Sequence, residues 1–366
     1  MIIDCMFDNS KLLLDSGVAA EGQINWKSPS NLAIVKYWGK YGVQLPRNPS
    51  ISFTLENAFT QTILRYRKKS DEGDGISLDF TFHEEENEVF RQKIVRFLES
   101  ITSIFPFLNQ LHLSIKSGNS FPHSAGIASS ASSMSALALC LCTLEDELFQ
   151  TLGDDALFDQ KASYVARLGS GSACRSIYPG MAAWGITETI PGSSNEYAVP
   201  LLEEIHDVYK NFHDDILIAS KEEKSVSSRA GHGLMEGNPF AVPRYQQAND
   251  RLNQLMEVLK NGDVATFGKI AEDEALTLHA LMMASDPSYI LMRPNSLKMI
   301  ELIRAYRADT GHPVFFSLDA GPNLHVLYPE EVIHEVRPFI EDQLVPLCEE
   351  EQWISDWVGE GPEQLG

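Results

Sequence analysis

The sequence predicts an α+β fold divided between two domains. Apolar residues alternate with polar ones at residues 51–55, as in half-buried strands, and recur every three or four positions at residues 90–101, as in amphipathic helices. Strand and helix patterns are mixed along the chain without a regular strand-helix-strand alternation, which favours α+β over a doubly wound parallel sheet. A chain of 366 residues is long for one hydrophobic core, so two domains are expected.

The same patterns predict the individual elements in chain order. In the first half, strands are predicted at residues 51–55 and 111–116, and helices at 90–101, 134–144 and 157–168. In the second half, an apolar run covers residues 216–219, helices are predicted at 252–259, 267–283 and 297–308, and strands at 314–318 and 324–328. A Pro-Gly-Ser-Ser-Asn turn at residues 191–195 places the domain boundary near residue 200, which gives domains of residues 1–200 and 201–366.

The charge of the chain argues against nucleic acid and membranes as partners. There are 51 acidic and 29 basic residues, a formal net charge of -22, so the long-range field repels polyanions and anionic lipid. The apolar run at residues 134–144 is shorter than the roughly 20 residues that a membrane span requires. A polyphosphate ligand therefore needs basic groups gathered at one place.

The cysteines and the N-terminal segment are typical of a cytoplasmic protein. Asp4 and Asp8 stand where a secretion signal would carry basic residues. The cysteines are odd in number, scattered and without zinc-type spacing, which favours buried small hydrophobic residues in a reducing compartment. They are Cys5, Cys140, Cys142, Cys174 and Cys348.

A loop of small residues between a strand and a helix is a candidate phosphate site. Residues 122–131 read Pro-His-Ser-Ala-Gly-Ile-Ala-Ser-Ser-Ala, and they let the backbone N–H groups and the positive end of the helix dipole approach an anion. No G-x-x-x-x-G-K-[ST] motif occurs, and the G-x-G that begins at Gly169 continues to Cys174 without a third glycine, which disfavours dinucleotide binding. Taken alone, such a loop is more typical of simple helix capping.

Two basic segments supply candidate groups for an anionic substrate. Lys36 and Lys40 bracket Tyr37, and in so acidic a chain they offer the local positive charge that a diphosphate requires; the alternative is a pair of solvated lysines beside a buried Trp38. Arg175 follows a helix that ends at Gly169 and a run of serines, and its guanidinium suits a bidentate carboxylate clamp. The alternative for Arg175 is a surface ion pair.

An acid at the end of a strand is the candidate catalytic group. Residues 317–323 read Ser-Leu-Asp-Ala-Gly-Pro-Asn, which places Asp319 after an apolar strand and before a Gly-Pro turn. A desolvated carboxylate there can orient an alcohol or accept its proton during attack on phosphorus. The alternative is an Asx turn, in which the side chain binds backbone N–H groups.

These four segments resemble, in order and spacing, the signature of the GHMP kinase superfamily and specifically of the diphosphomevalonate decarboxylase family. The resemblance extends from Ser28 to Leu327, and residues 36–40, 169–175 and 319–323 are its most diagnostic parts. It implies the GHMP kinase fold, with an N-terminal ribosomal-S5-like domain and a C-terminal ferredoxin-like domain. ATP and the substrate are expected to meet in the cleft between them.

The resemblance also implies a reaction and a set of site residues. The expected reaction is ATP-dependent decarboxylation of mevalonate 5-diphosphate to isopentenyl diphosphate, with Mg²⁺ and with prior phosphorylation of the C3 hydroxyl, in a cytoplasmic homodimer. The implied catalytic residues are Asp319, which assists phosphorylation, Arg175, which holds the substrate carboxylate, and Lys36. The implied substrate-binding residues are Tyr37, Lys40, Ser170, Gly171, Ser172, Arg175, Ser228 and Arg229. The implied ATP-binding residues are Ser117, Asn119, Ser124, Ala125, Gly126, Ile127, Ala128, Ser129 and Ser130, with Ser130 binding magnesium directly or through a water.

Departures from the family pattern leave alternatives open. The family usually has Arg-Asp or Lys-Asp where this chain has Tyr41 and Gly42, so one basic group is missing, and either Arg47 or Arg229 is a candidate to compensate. Residues 122–124 read Pro-His-Ser where a threonine and alanine are common. The alternatives are a phosphomevalonate decarboxylase or a mevalonate 3-kinase of the same fold. A non-catalytic ligand sensor of this fold is expected to have lost the acid or the phosphate loop, and both are present.

Overall fold

The computed structural model describes residues 6–15, 17, 19–70, 75–122, 127–201, 205–222 and 226–366. The helices of this part of the chain are α1 (Glu88–Ser100), α2 (Ser129–Phe149), α3 (Asp155–Gly169), α4 (Ser228–Gly233), α5 (Ala241–Asn261), α6 (Val264–Met283), α7 (Pro294–Thr310) and α8 (Ile333–Phe339). The strands are β1 (Glu21–Val35), β2 (Lys40–Tyr41), β3 (Leu45–Pro46), β4 (Ser50–Lys68), β5 (Ser77–Phe82), β6 (Glu85–Glu86), β7 (Leu111–Asn119), β8 (Met181–Trp184), β9 (Ala198–Pro200), β10 (His213–Leu217), β11 (Phe315–Ser317), β12 (Leu324–Tyr328), β13 (Trp353–Ile354) and β14 (Glu363–Leu365).

The larger sheet is built mainly by the first half of the chain. Its strands lie in the order β14-β1-β4-β7-β5-β6, and β8 extends it by pairing with the start of β4 and with β9. The pairings are antiparallel except for that of β5 with β7. The register of β1 against β4 shifts between Pro29 and Asn31 and again between Ala33 and Val35. Such bulges bend a strand and redirect its side chains, and they lie where β1 leads into the candidate site.

The smaller sheet belongs to the second half. Its strands lie in the order β11-β12-β10-β13, all antiparallel. Residues of the two halves share one apolar cluster that contains Phe53 from β4, Phe212 and Phe267. The halves are therefore joined by a continuous core beside the candidate site, since buried apolar contact of this kind is what holds packed layers together.

Side-chain caps fix the beginnings of several helices. Asn87 accepts a hydrogen bond from the N–H of Phe90 at the start of α1, and Asp154 accepts one from Leu157 at the start of α3. Gly262 ends α5 with φ 72°, a left-handed conformation that glycine adopts without steric cost. Local chemistry thus sets these boundaries to within a residue or two.

The end of the chain returns to the larger sheet. In β14, Leu365 lies opposite Asn25 of β1. Just before it, the buried carboxylate of Asp356 accepts hydrogen bonds from the backbone N–H groups of Glu56, Asn57 and Ala58. The division of the chain near residue 200 stays a prediction, because these last residues pack on the sheet of the first half.

The predicted α+β arrangement is confirmed, and every strand and helix predicted above has a counterpart. The long strand β1 was not among the predictions, since Ser28 to Val35 are buried and show no alternation of polar and apolar residues. Among the described residues, no helix has the length and apolar character needed to cross a bilayer. Four of the cysteines are free and buried, as expected; Cys5 lies outside the described residues.

Candidate active site

A cleft of about 850 Å³ lies between the two halves and collects most of the predicted site residues. Strand β1, the segment after it and helix α2 contribute from the first half, and α4 and the turn between β11 and β12 contribute from the second. The predicted residues that line it are Lys36, Tyr37, Lys40, Ser117, Ala128, Ser129, Ser130, Ser170, Ser172, Arg175, Ser228, Arg229 and Asp319.

Lys36 and Asp319 form an ion pair in this cleft. The Lys36 Nζ donates to Asp319 Oδ1 at 2.8 Å and to the carbonyl of Ala33 at 2.7 Å. Lys36 is only 2% exposed, so the alternative of a solvated lysine is wrong for this residue. The Asp319 side chain is 24% exposed, although it is paired with the buried Lys36 ammonium. One oxygen of the acid is thus fixed while the carboxylate still faces the cleft.

A buried ion cluster, formed by Glu274 of α6 with Arg244 and Arg251 of α5, holds the backbone of Lys36. Glu274 accepts the Lys36 N–H at 2.8 Å, and Arg244 donates to the Lys36 carbonyl at 2.8 Å. Glu274 is also bound by Arg244 at 2.6 and 2.5 Å and by Arg251 at 2.7 Å. Burial alone would raise the pKa of Glu274, but the arginines hold it below the usual value. Helices of the second half therefore orient a lysine of the first.

Arg175 is buried with its guanidinium at the cleft, in the short 3-10 helix of residues 171–177. Its Nε donates to Ser52 Oγ at 2.7 Å, and its terminal nitrogens donate to Ser50 Oγ at 2.8 Å and to Asn31 Oδ1 at 3.2 Å. A guanidinium has five N–H groups, so one on each terminal nitrogen remains for a ligand. No carboxylate pairs with Arg175 among the described residues, which rules out the surface ion pair considered above.

A group of aromatic rings forms the wall between Arg175 and the second half. The Tyr37 ring packs against Trp184 and His232, each at 4.8 Å between centroids, and lies 5.6 Å from the Arg175 guanidinium. Burial raises the pKa of the Tyr37 hydroxyl, so Tyr37 stays a neutral hydrogen-bonding group. His232 of α4 also packs against Trp38 at 4.4 Å, and its Nδ1 accepts the Gly39 N–H at 3.0 Å.

Positive charge collects at the mouth of the cleft near Lys40 and Arg229. The Lys40 Nζ donates to Gln44 Oε1 at 2.6 Å. Burial, and then repulsion from the Arg229 guanidinium, lower the pKa of Lys40 to about 8. Two cations held this close in an acidic protein are suited to a ligand with several negative charges. Of the two candidates to compensate for the missing basic group, Arg229 lines the cleft and Arg47 does not; the Arg47 guanidinium lies over the Tyr41 ring at 5.1 Å.

The other end of the cleft combines serine hydroxyls with an apolar wall. Ser129 and Ser130 begin α2, Asn119 donates to Ser129 Oγ at 2.9 Å, and Ser130 Oγ lies 3.2 Å from Ser170 Oγ. Ser117 and Thr62 share a hydrogen bond of 3.1 Å on the neighbouring strands. The apolar wall consists of Phe80, Phe82, Phe90, Ile94, Phe97, Ile115 and Leu137.

Some predicted residues lie apart from the cleft surface. Asn119 is connected to the cleft through its hydrogen bond to Ser129. Ile127 is 2% exposed within the apolar core, and Gly171 lies behind the rings of Tyr37 and Trp184. A Cβ at Gly171 would come within 2.7 Å of Trp184, so the glycine permits the close approach of these rings. The central loop predictions, Ser124, Ala125 and Gly126, lie outside the described residues.

Several residues of the site were missed from the sequence. Ser50 and Ser52, which hold Arg175, are the polar members of an alternating strand and look like ordinary outward-facing positions. Glu274 and His232 lie within helices and carry no motif. Asn31 was given no role, although its amide donates to Ser176 at 2.8 Å and its oxygen accepts from Arg175.

Comparison with known protein families assigns both halves of the chain. Residues 28–196 match the diphosphomevalonate decarboxylase-like N-terminal domain, and residues 215–361 match the mevalonate 5-diphosphate decarboxylase C-terminal domain. The diphosphomevalonate decarboxylase ERG19 of Gibberella zeae is 32% identical over 324 residues, which cover 83% of this chain and 80% of that protein.

Solved structures resemble the whole fold. Mevalonate diphosphate decarboxylase from Staphylococcus aureus has a TM-score of 0.80 and 27% identity, covering 95% of this chain and 99% of that one. MDDEF in complex with MVAPP, AMPPCP and magnesium has a TM-score of 0.78 and 28% identity, covering 94% of this chain and 99% of that one. These matches confirm the predicted α+β fold of GHMP kinase type.

Proposed function

The chain belongs to the diphosphomevalonate decarboxylase family, and from this premise we propose that it converts mevalonate 5-diphosphate to isopentenyl diphosphate with consumption of ATP. The observation that carries this function is the convergence of Asp319 from the second half and Arg175 from the first half on one cleft, beside the serines of α2. An acid for the alcohol, a clamp for the carboxylate and hydroxyls for a triphosphate are thereby brought together.

The reaction requires two successive steps, phosphorylation of the C3 hydroxyl and then decarboxylation with loss of phosphate. A tertiary hydroxide is a poor leaving group, so the C3 oxygen first attacks the γ-phosphorus of ATP and ADP departs. The C3–O bond then breaks with its electron pair going to phosphate. The electrons of the bond to the carboxylate form the alkene, and carbon dioxide is released. Because the protein has little covalent chemistry to perform, its task is to position the groups and offset their charge.

Asp319 acts on the C3 hydroxyl in the first of these steps. Its carboxylate, which faces the cleft, accepts the hydroxyl proton or aligns the hydroxyl for in-line attack. Lys36, whose Nζ lies 2.8 Å from Asp319 Oδ1, places a positive charge beside the oxygen that is phosphorylated. The Glu274 cluster holds that lysine in place.

Arg175 binds the carboxylate that is lost as carbon dioxide. The N–H groups left on its two terminal nitrogens provide a bidentate contact, while Ser50, Ser52 and Asn31 fix the plane of the guanidinium. Tyr37, Ser170 and Ser172 line the space between this clamp and the basic mouth. The diphosphate binds at the mouth to Lys40, Arg229 and Ser228, where the positive charge is concentrated.

ATP occupies the end of the cleft with the serines and the apolar wall. The β- and γ-phosphates lie at the start of α2 near Ser129 and Ser130, and the base packs against the wall that includes Phe82 and Phe90. Magnesium fits this donor set, since Mg²⁺ usually takes one or two protein oxygens together with phosphates and waters. MDDEF has been solved in complex with MVAPP, AMPPCP and magnesium, which supports the use of ATP and Mg²⁺ here.

A coupled assay of ADP and carbon dioxide tests the function and separates its rivals. We expect release of both products, in equal amounts, with mevalonate 5-diphosphate as the preferred substrate over mevalonate and mevalonate 5-phosphate. Faster turnover of the monophosphate would indicate a phosphomevalonate decarboxylase, and ADP without carbon dioxide would indicate a 3-kinase. Binding without either product would indicate a ligand sensor.

The assembly and location implied by the family are also proposals. We expect a cytoplasmic homodimer, as implied by the family resemblance, acting in isoprenoid biosynthesis. Light scattering of the purified chain measures the assembly, and a mass equal to the 40.8 kDa of one chain would contradict it.

A further inference from the structure

His232 lies at the substrate end of the cleft and has no assigned role. It belongs to the same short helix α4 as Ser228 and Arg229, and it is one of the residues that line the cleft. Only 7% of the residue is exposed, because its ring packs against the rings of Tyr37 and Trp38 at 4.8 and 4.4 Å between centroids. A polar ring held this firmly at a ligand cleft has a fixed orientation.

The hydrogen bond from Gly39 determines which ring nitrogen of His232 carries the proton. The backbone N–H of Gly39 donates to Nδ1 at 3.0 Å, so Nδ1 is an acceptor and carries no proton. The neutral ring then carries its proton on Nε2, which becomes a hydrogen-bond donor. Burial, and then the nearby Lys40 ammonium, lower the pKa of His232 well below its usual value, which keeps the ring neutral.

The remaining edge of the ring is the part available to a ligand. The aromatic contacts occupy the ring surface and Gly39 occupies Nδ1, while the structure gives Nε2 no hydrogen-bond partner among the described residues. Lys40 acts electrostatically on His232, and Arg229 is three residues earlier in α4. The free donor therefore lies beside the two cations of the mouth.

We propose that His232 is a substrate-binding residue that donates its Nε2–H to a phosphate oxygen of the substrate. This assignment rests on the function proposed above. The Nε2–H of His232 would act as a neutral donor alongside the cations Lys40 and Arg229. A neutral N–H can approach an anionic oxygen next to Lys40 and Arg229 without adding a third like charge to them. His232 is thereby a determinant of how tightly the phosphate end is held, with no part in the bond changes at C3.

Two substitutions separate this role from a structural one. In His232→Asn the amide oxygen can replace Nδ1 as acceptor for Gly39, but the side chain is too short to place a donor at Nε2. In His232→Gln the amide nitrogen can replace the Nε2 donor. His325→Asn is the matched control for loss of a buried imidazole, since His325 is 2% exposed, binds Asp214 and does not line the cleft.

We expect the KM for mevalonate 5-diphosphate to rise about tenfold in His232→Asn and by less than about threefold in His232→Gln, because a hydrogen bond to a charged group is lost only in the first. The KM for ATP and the thermal midpoint should be equal in the two variants. A KM in His232→Asn no higher than in the His325→Asn control, or a larger effect in His232→Gln than in His232→Asn, would overturn the role.

A second measurement does not depend on turnover. In the wild-type chain labelled with ¹⁵N-histidine, addition of inorganic pyrophosphate should shift the Nε2–H resonance of His232, identified by its loss in His232→Asn. An unchanged resonance in saturating pyrophosphate would overturn the donor role even if the enzyme is active. Failure of the proposed function is recognised separately, as absence of ADP and carbon dioxide release by the wild-type chain.

Discussion

The two ends of the cleft are lined by different kinds of residue. At the substrate end, Lys36 and Arg175 are buried cations, most of whose N–H donors bind named acceptors, and Lys40 and Arg229 add charge at the mouth. At the nucleotide end, phenylalanine rings form a wall, serine hydroxyls lie at the start of α2, and the two cations that line this end, Lys93 and Arg96 of α1, are exposed. Charge that must be aimed at reacting atoms is thus preorganised by a buried network, whereas the nucleotide end offers shape, hydroxyls and solvent-exposed cations. Changes at the substrate end should therefore affect catalysis most, and changes at the nucleotide end should affect the KM for ATP.

The largest effect is expected for Asp319→Ala. Asp319 is the only acidic residue among the described residues that line the cleft. Its loss should reduce ATP-dependent carbon dioxide release about a thousandfold, as is typical when a general base is removed. Substrate binding, measured by calorimetry, should stay within a few-fold of wild type. Asp319→Asn is the matched control for shape, and near-normal turnover in either variant would remove the acid from the mechanism.

Arg175→Lys should have the next largest effect. The charge is kept, but a lysine cannot make the bidentate contact or bind Ser50, Ser52 and Asn31 together, so we expect kcat/KM to fall about a hundredfold. The KM for ATP should change little. A rate equal to wild type would mean that the guanidinium serves only to bind those three side chains.

The pH dependence of substrate binding should show a smaller effect from Lys40. Its pKa is about 8 in the free protein, so the group is mostly charged at neutral pH and loses its proton as pH rises. The charged form binds the phosphate, and the dissociation constant should therefore increase about tenfold between pH 7 and pH 9. In Lys40→Arg, which keeps its charge throughout, the profile should be flat over that range. An equal increase of the dissociation constant in the wild type and in Lys40→Arg would assign the titration to another group.

Phe82→Ala should have the smallest effect and should be confined to the nucleotide. Phe82 packs edge-on against Phe90 at 5.3 Å between centroids in the apolar wall. Removing one face of a base-binding surface should raise the KM for ATP about fivefold, with kcat nearly unchanged. A loss of kcat comparable to that of Arg175→Lys would mean that the two ends of the cleft are not energetically distinct.

The fold was largely predictable because its signals are local. Helix α1 shows an amphipathic spacing and has a capping asparagine, and the start of β4 alternates as a half-buried strand does. Strand β1 could not be recognised from the same rules, because residues buried on both faces remove the alternation. Its second half is also rich in serine and asparagine, which pair with partners far along the chain.

The site was predictable only in part, and for a physical reason. Each motif indicated a local group, but the contact between Lys36 and Asp319 joins residues 283 positions apart, and no periodicity encodes it. The family resemblance placed both residues among the catalytic groups, but it did not give the ion pair between them. It did not supply Glu274 or His232, whose positions depend on how α6 and α4 pack against the first half.

The pairing of β14 with β1 has a consequence for synthesis of the chain. Residue 25 leaves the ribosome early, yet its partner is residue 365, and the part of β4 that binds Asp356 is also made long before that acid. The first sheet therefore keeps an open edge during most of translation, which is a hazard for aggregation. A substitution in β14, although remote from the cleft in sequence, therefore acts on the step in which the β1 edge of the first sheet acquires its partner.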